Sequence, residues 1–282
     1  MSKAIVMTDS TCGLPAEILA EKNILVVPCR VNVGQAVYRE GVDLTAEELY
    51  RQMFASQETP TTSMPAGEDY QAAFQQVMDQ GYDQVLGVFV GSAYSGTFNG
   101  ARLAGQEYPL EVELVDSGTT SLALGMLAMH GADLLAQGAS LQEAGAACRR
   151  LSEGAEAHAL LDTLEYVRRG GRIGRVGELI ATMLNIKPIL RLARNSADVV
   201  ARTRSQKRGI AKIKSTVEEA APLLGLGMIH TSDSTRELAA QLAEELGRFV
   251  VEGGPVLVAP TSAALAVHTG PGGVAATFLR KL

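Results

Sequence analysis

Gln84-Val85-Leu86-Gly87-Val88-Phe89-Val90 runs directly into Gly91-Ser92-Ala93-Tyr94-Ser95-Gly96-Thr97, and the fold turns on this junction. After Gln84 the first segment is apolar at every position, so it does not alternate inside and outside. Such a strand is buried on both faces, as in a parallel sheet. The second segment is a turn rich in glycine and hydroxyls, and residues 95–107 after it are predicted as a helix. Strand, tight polar turn and helix form the repeating unit of open α/β sheets.

The same grammar runs outward from the junction. Strands are predicted at 5–8, 25–31, 36–39 and 111–115, with helices at 15–22, 45–55, 68–80 and 121–137. Pro15 opens the first of these helices, and Thr45 followed by Glu48 has the spacing of a capping box. In the second half of the chain the pattern is less regular. Helices are predicted at 140–154, 177–184, 205–223 and 234–247, and strands at 158–161, 227–231 and 256–259. Strands 188–192 and 199–203 make a hairpin around Arg194-Asn195-Ser196, and a last strand at 275–279 closes the sheet.

Charge divides the chain at the same place. Residues 1–155 carry 8 Lys/Arg against 19 Asp/Glu, whereas residues 156–282 carry 17 against 12. The expectation is therefore two α/β domains, 1–155 with a mostly parallel sheet and 156–282 of α/β or α+β type. With 282 residues, 46% of them hydrophobic and 20% charged, the chain can bury a sizeable core. Its opening strand and lack of a long apolar run argue against a signal peptide or a membrane span. Three cysteines, Cys12, Cys29 and Cys148, lack metal-ligand spacing and suit reduced thiols in the cytoplasm.

Five loops share one design, an apolar strand entering a hydroxyl-rich turn at which a helix starts. They are Thr8-Asp9-Ser10-Thr11-Cys12-Gly13-Leu14-Pro15, Thr61-Thr62-Ser63-Met64-Pro65, the Gly91 turn, Asp116-Ser117-Gly118-Thr119-Thr120-Ser121 and His268-Thr269-Gly270-Pro271-Gly272-Gly273. Free N–H groups, hydroxyls and the positive end of a helix dipole can hold an anion without lysine or arginine. Taken singly, each loop is equally a helix cap or a turn.

The surrounding residues narrow the chemistry. No Lys-Ser/Thr follows the Gly91 turn, so it is not a triphosphate loop. Ser92 or Ser95 with His268 would suit a serine esterase or acyltransferase, but no Gly-x-Ser-x-Gly elbow is present. Neither paired cysteines nor an HExxH motif supports a metal. An imidazole with an ordinary pKa near 6.5 can bond a carboxylate or a hydroxyl whether charged or neutral. The basic stretch Arg168-Arg169-Gly170-Gly171-Arg172-Ile173-Gly174-Arg175 lacks interleaved aromatics, which disfavours nucleic acid and fits an acidic protein partner better.

Thr8-Asp9-Ser10, Thr62-Ser63-Met64-Pro65, Ser92-Ala93-Tyr94-Ser95-Gly96-Thr97, Asp116-Ser117, the run from Leu164 to Ile173 and His268-Thr269-Gly270-Pro271-Gly272 occur in this order and spacing. Together they resemble the DegV family, which includes the fatty-acid-binding subunits of bacterial fatty acid kinase, across essentially the whole chain. The resemblance implies two α/β domains with a long-chain fatty acid in a tunnel at their interface. Thr62, a serine of the Ser92–Ser95 loop and His268 would hold its carboxylate, supported by Asp9, Ser10, Ser63 and Thr269. A separate kinase, docking at Arg172, Arg202 and Arg204, would phosphorylate that carboxylate to an acyl phosphate for phospholipid synthesis. The chain itself would carry no catalytic residue, metal or cofactor and would touch a membrane surface only transiently. The alternatives are the serine/histidine esterase and a stand-alone lipid sensor. Family members often have two adjacent serines and a leucine where this chain has Gly91, Ser92 and Tyr94. The energetics suit a carrier, since burying ~14 methylenes at ~0.8 kcal/mol each gives a gross gain of order 10 kcal/mol.

Overall fold

The computed structural model describes residues 3–56, 58–171 and 186–282. Its strands are β1 (Ala4–Asp9), β2 (Ile24–Val27), β3 (Arg30–Val33), β4 (Ala36–Arg39), β5 (Thr61–Ser63), β6 (Gln84–Phe89), β7 (Glu111–Asp116), β8 (Ala155–Leu160), β9 (Lys187–Ala193), β10 (Ser196–Thr203), β11 (Leu223–His230), β12 (Val256–Pro260) and β13 (Val274–Arg280). A parallel sheet has the order β2-β1-β6-β7. A six-stranded sheet, β10-β9-β8-β13-β11-β12, is antiparallel except for the β11–β12 pair. A small antiparallel sheet, β4-β3-β5, completes the set.

The two larger sheets meet across one helix. Residues Ser121–Ala136 are apolar almost all the way round, and both ends of the first three turns are buried. A helix of that composition must be covered on every side. It packs on β1 and β6 of the parallel sheet and on β8, β11 and β13 of the other. The resulting core includes Leu86, Val88, Leu122, Leu127, Ile229 and Ala275.

Several sequence expectations need correction. The strand expected at 25–31 is two strands, because Pro28 has no N–H for a ladder and the chain leaves the parallel sheet there for the small one. The 61–65 segment opens with a strand, β5, paired to β3. The last strand does not close a sheet edge but lies between β8 and β11, buried along nearly its whole length. His268 does not open a turn before a helix; it is the penultimate residue of a short helix, Ala263–Thr269, that precedes its turn. The strand-to-helix design therefore holds for the Thr8, Gly91 and Asp116 loops and fails for the other two. The helix expected at 177–184 lies outside the described residues.

Local signals that were read correctly have visible partners. Thr45 and Glu48 exchange bonds as a capping box, with Thr45 N–H donating to Glu48 at 2.8 Å and Glu48 N–H to Thr45 Oγ1 at 3.2 Å. The β9–β10 hairpin turns through Arg194 and Asn195 at φ 51° and 58°, the left-handed pair that a two-residue hairpin requires.

Candidate ligand cavity

The C-terminal ends of β1 and β6 face the inner side of the six-stranded sheet across a largely apolar cavity. Strand alternation supplies the apolar wall. On β8, Ala157 and Ala159 face the cavity, while Glu156, His158 and Leu160 point to the opposite layer. Leu190, Leu192 and Ile229 continue the wall from β9 and β11. The polar lining includes Thr62, Ser63, Ser95, His268 and Thr269, with Thr11 and Thr120 further round the wall. No lysine or arginine is among the described residues that line it.

Thr62 and His268 come together although 206 residues separate them: Thr62 Oγ1 and His268 Nε2 share a hydrogen bond of 2.9 Å. Thr62 is the middle residue of β5, and its two strand neighbours are more exposed. The helix carrying His268 is wedged between the helices Ala46–Ser56 and Glu165–Arg169. Its N-terminus is fixed by Glu40, which is 4% exposed and accepts the Ala264 N–H at 2.7 Å. Glu40 also accepts the Ser10 hydroxyl at 2.5 Å, and Ser10 in turn accepts the Cys29 N–H at 2.9 Å. Burial pushes the Glu40 carboxyl above its ordinary pKa despite these bonds. Ser10 thus reaches the cavity through Cys29, which lines it, and through Glu40, a residue with no sequence signal of its own.

Asp9 acts on two loops at once. One oxygen accepts the N–H and hydroxyl of Thr11 at 3.0 and 2.5 Å, and the other accepts the Val90 N–H at 2.8 Å. Burial pushes its pKa up as well, and the bonds from Thr11 and Val90 oppose that shift. Ser63 lines the cavity from an exposed position, and Thr269 lines it while donating its hydroxyl to the Leu265 carbonyl at 3.1 Å.

The two serines separate clearly. Ser95 lines the cavity, its hydroxyl 2.7 Å from Thr97 Oγ1. Ser92 is exposed and donates to Asp116 at 2.5 Å, which turns it away from the cavity and corrects its place beside Ser95. Tyr94 lines the cavity and donates its hydroxyl to the Ser196 carbonyl at 2.7 Å. A β-carbon on Gly91 would lie 2.8 Å from the Tyr94 ring. Glycine at 91 and tyrosine at 94 are therefore one coupled choice. Asn195, expected only as a hairpin-turn residue, accepts the Ala93 N–H at 3.1 Å and donates to Asp116 at 3.0 Å, joining this loop to the hairpin.

Arg202 and Arg204 do not belong to the cavity. Both are exposed, Arg202 on the edge strand β10 and Arg204 just beyond it. Arg172 lies outside the described residues.

These features define an α/β protein with an apolar cavity between its two larger sheets and a hydroxyl-and-imidazole rim, a site suited to a small amphiphile. The family model described as "Uncharacterised protein, DegV family" matches residues 3–281, and the chain belongs to that family. A DegV domain-containing protein of Deinococcus radiodurans is 32% identical, with 97% of each chain covered. A DegV family protein from Thermus thermophilus, solved for its fatty acid binding, is 29% identical with a TM-score of 0.87, covering 99% of this chain and 100% of its own. DegV from Bacillus subtilis, described as a fatty acid binding protein, is 26% identical with a TM-score of 0.87 and full coverage of both chains.

Proposed function

We propose that this chain binds a long-chain fatty acid, with its carboxylate at Thr62, Ser95 and His268 and its tail along the apolar wall. The observation that carries this reading is the Thr62–His268 pair opening onto an apolar cavity. A carboxylate buried there needs hydrogen bonds to offset its desolvation, and hydroxyls with one imidazole provide them. The fatty acid binding of the Thermus and Bacillus relatives supports the same assignment.

The second half of the proposal is that the protein presents the carboxylate to a separate fatty acid kinase and keeps the acyl phosphate for phospholipid synthesis. This rests on the family resemblance and on the exposure of Arg202 and Arg204 as a docking patch. No cofactor is needed. The chain would work as two domains, 1–155 and 156–282, in the cytoplasm, where its three free, buried cysteines stay reduced. Among the described residues no helix is long and apolar enough to cross a membrane. The geometry favours a carrier over an esterase because the hydroxyls of Ser92 and Ser95 are turned to Asp116 and Thr97.

Reconstitution tests the assignment. Palmitate, ATP and a bacterial fatty acid kinase should yield acyl phosphate only when this protein is added, and His268→Ala should reduce the yield at least about tenfold. Hydrolysis of a palmitoyl ester by the pure protein, lost in Ser95→Ala, would instead establish the esterase.

Gly170 offers a finer test of the imidazole. A β-carbon there would run into His268 Nδ1, while its φ of −72° suits alanine. Gly170→Ala should therefore displace the ring more than it disturbs the fold. We expect palmitate binding, followed by calorimetric titration, to weaken by about tenfold. An unchanged Kd would mean that the ring does not touch the ligand.

A further inference from the structure

The Asp116–Ser121 loop contains a hydroxyl that neither the fold nor the carboxylate site uses. Thr120 is 4% exposed and lines the cavity, and its Oγ1 has no hydrogen-bond partner. It is the N-cap of the 16-residue helix Ser121–Ala136 yet makes no side-chain capping bond. The neighbouring hydroxyls are committed, Ser117 to the Thr119 carbonyl at 3.1 Å and Thr119 to the Leu192 carbonyl at 3.3 Å. A buried polar group left unpaired in an apolar wall is costly.

We infer that Thr120, with Thr11 and the first turn of the Ser121–Ala136 helix, forms a second polar point in the cavity that receives a hydroxyl group carried on the acyl chain. The inference rests on the fatty-acid reading above. Its chemistry follows from what each group can offer. First-turn N–H groups lack helical partners and can only donate. Thr11 gives its proton to Asp9 at 2.5 Å, so its oxygen can only accept. Thr120 Oγ1 can do either. A ligand group meeting all three must both donate and accept, as an alcohol does. A second carboxylate is disfavoured by Asp9 directly behind Thr11.

The point is also displaced from the head group. Thr120 follows β7 of the parallel sheet, whereas Thr62 lies on β5 of the small sheet, so the two line the cavity from different sheets. The favoured ligand is thus hydroxylated part-way along its chain.

The test is a titration of lipid-free protein with palmitate and with a series of palmitates hydroxylated at successive carbons. One positional isomer should bind wild type about five- to tenfold more tightly than palmitate. That ratio should fall to about one in Thr120→Val and recover in Thr120→Ser. If palmitate binds and no isomer exceeds it, the point holds only water and this inference fails alone. A preference that survives in Thr120→Val would also overturn it. If palmitate itself does not bind, the fatty-acid reading fails and the inference goes with it.

Discussion

Ala159→Phe should empty the cavity. Ala159 faces the cavity from β8, where it pairs with Leu190 on one side and Ala275 on the other. A phenyl group there occupies space that the acyl chain would need, displacing roughly four methylenes. At ~0.8 kcal/mol each, the loss is about 3 kcal/mol, or at least 100-fold in Kd. The fold should tolerate the change, because the ring enters existing space and does not displace packed neighbours. The lipid-free variant should melt at or above the wild-type temperature, while the rise in melting temperature on adding palmitate disappears. An undiminished palmitate shift in the variant would mean that the ligand lies elsewhere.

Glu156→Gln should do the reverse, costing stability and sparing the cavity. Glu156 lies on the far side of β8 with a 7% exposed side chain, bonded to His158 Nε2 at 2.7 Å and to Arg191 at 2.8 and 3.0 Å. His158 also stacks on Phe278, with ring centres 5.4 Å apart. Burial alone would raise the Glu156 pKa, but the bonds from His158 and Arg191 outweigh it and hold the carboxyl well below its usual range. Glutamine keeps one acceptor oxygen but puts an amide donor in place of the other and leaves the Arg191 charge unneutralised. The cost should be about 3 kcal/mol, the low end for a broken buried pair because Arg191 is partly exposed. The sign with pH follows from the depressed folded-state value. The contribution is complete above the unfolded carboxyl pKa, near 4.3, and is lost as pH falls toward the folded value. Urea unfolding should therefore show a gap between variant and wild type that is full at pH 7 and narrows below about pH 4. A variant within about 0.5 kcal/mol of wild type at pH 7 would show the network to be dispensable.

Legibility in the sequence followed the range over which each signal acts. β6 and its turn were readable because an unbroken apolar run and a glycine-hydroxyl turn are contiguous. The Thr45–Glu48 box joins residues three apart and was equally plain. The Pro28 break was missed because apolar residues flank it on both sides and hide the change of sheet. The Ala263–Thr269 helix has only seven residues, too few for a helical period to stand out beside the Gly270-Pro271-Gly272-Gly273 turn. Thr62, Ser95 and His268 came from resemblance to a family, and only folding shows how they are held. The bonds of Glu40 and Asn195 were invisible, although Asn195 stands in a legible hairpin turn. They span 224 and 102 residues, beyond the reach of any local signal.

The central claim is that the space beneath Thr62 and His268 holds an acyl chain. Native mass spectrometry of the purified protein, followed by loading of the lipid-free form with palmitate, tests it most directly. The expected result is one long-chain fatty acid per chain, retained under gentle conditions and replaced stoichiometrically by palmitate. A lipid-free protein that takes up no fatty acid when loaded would contradict the account.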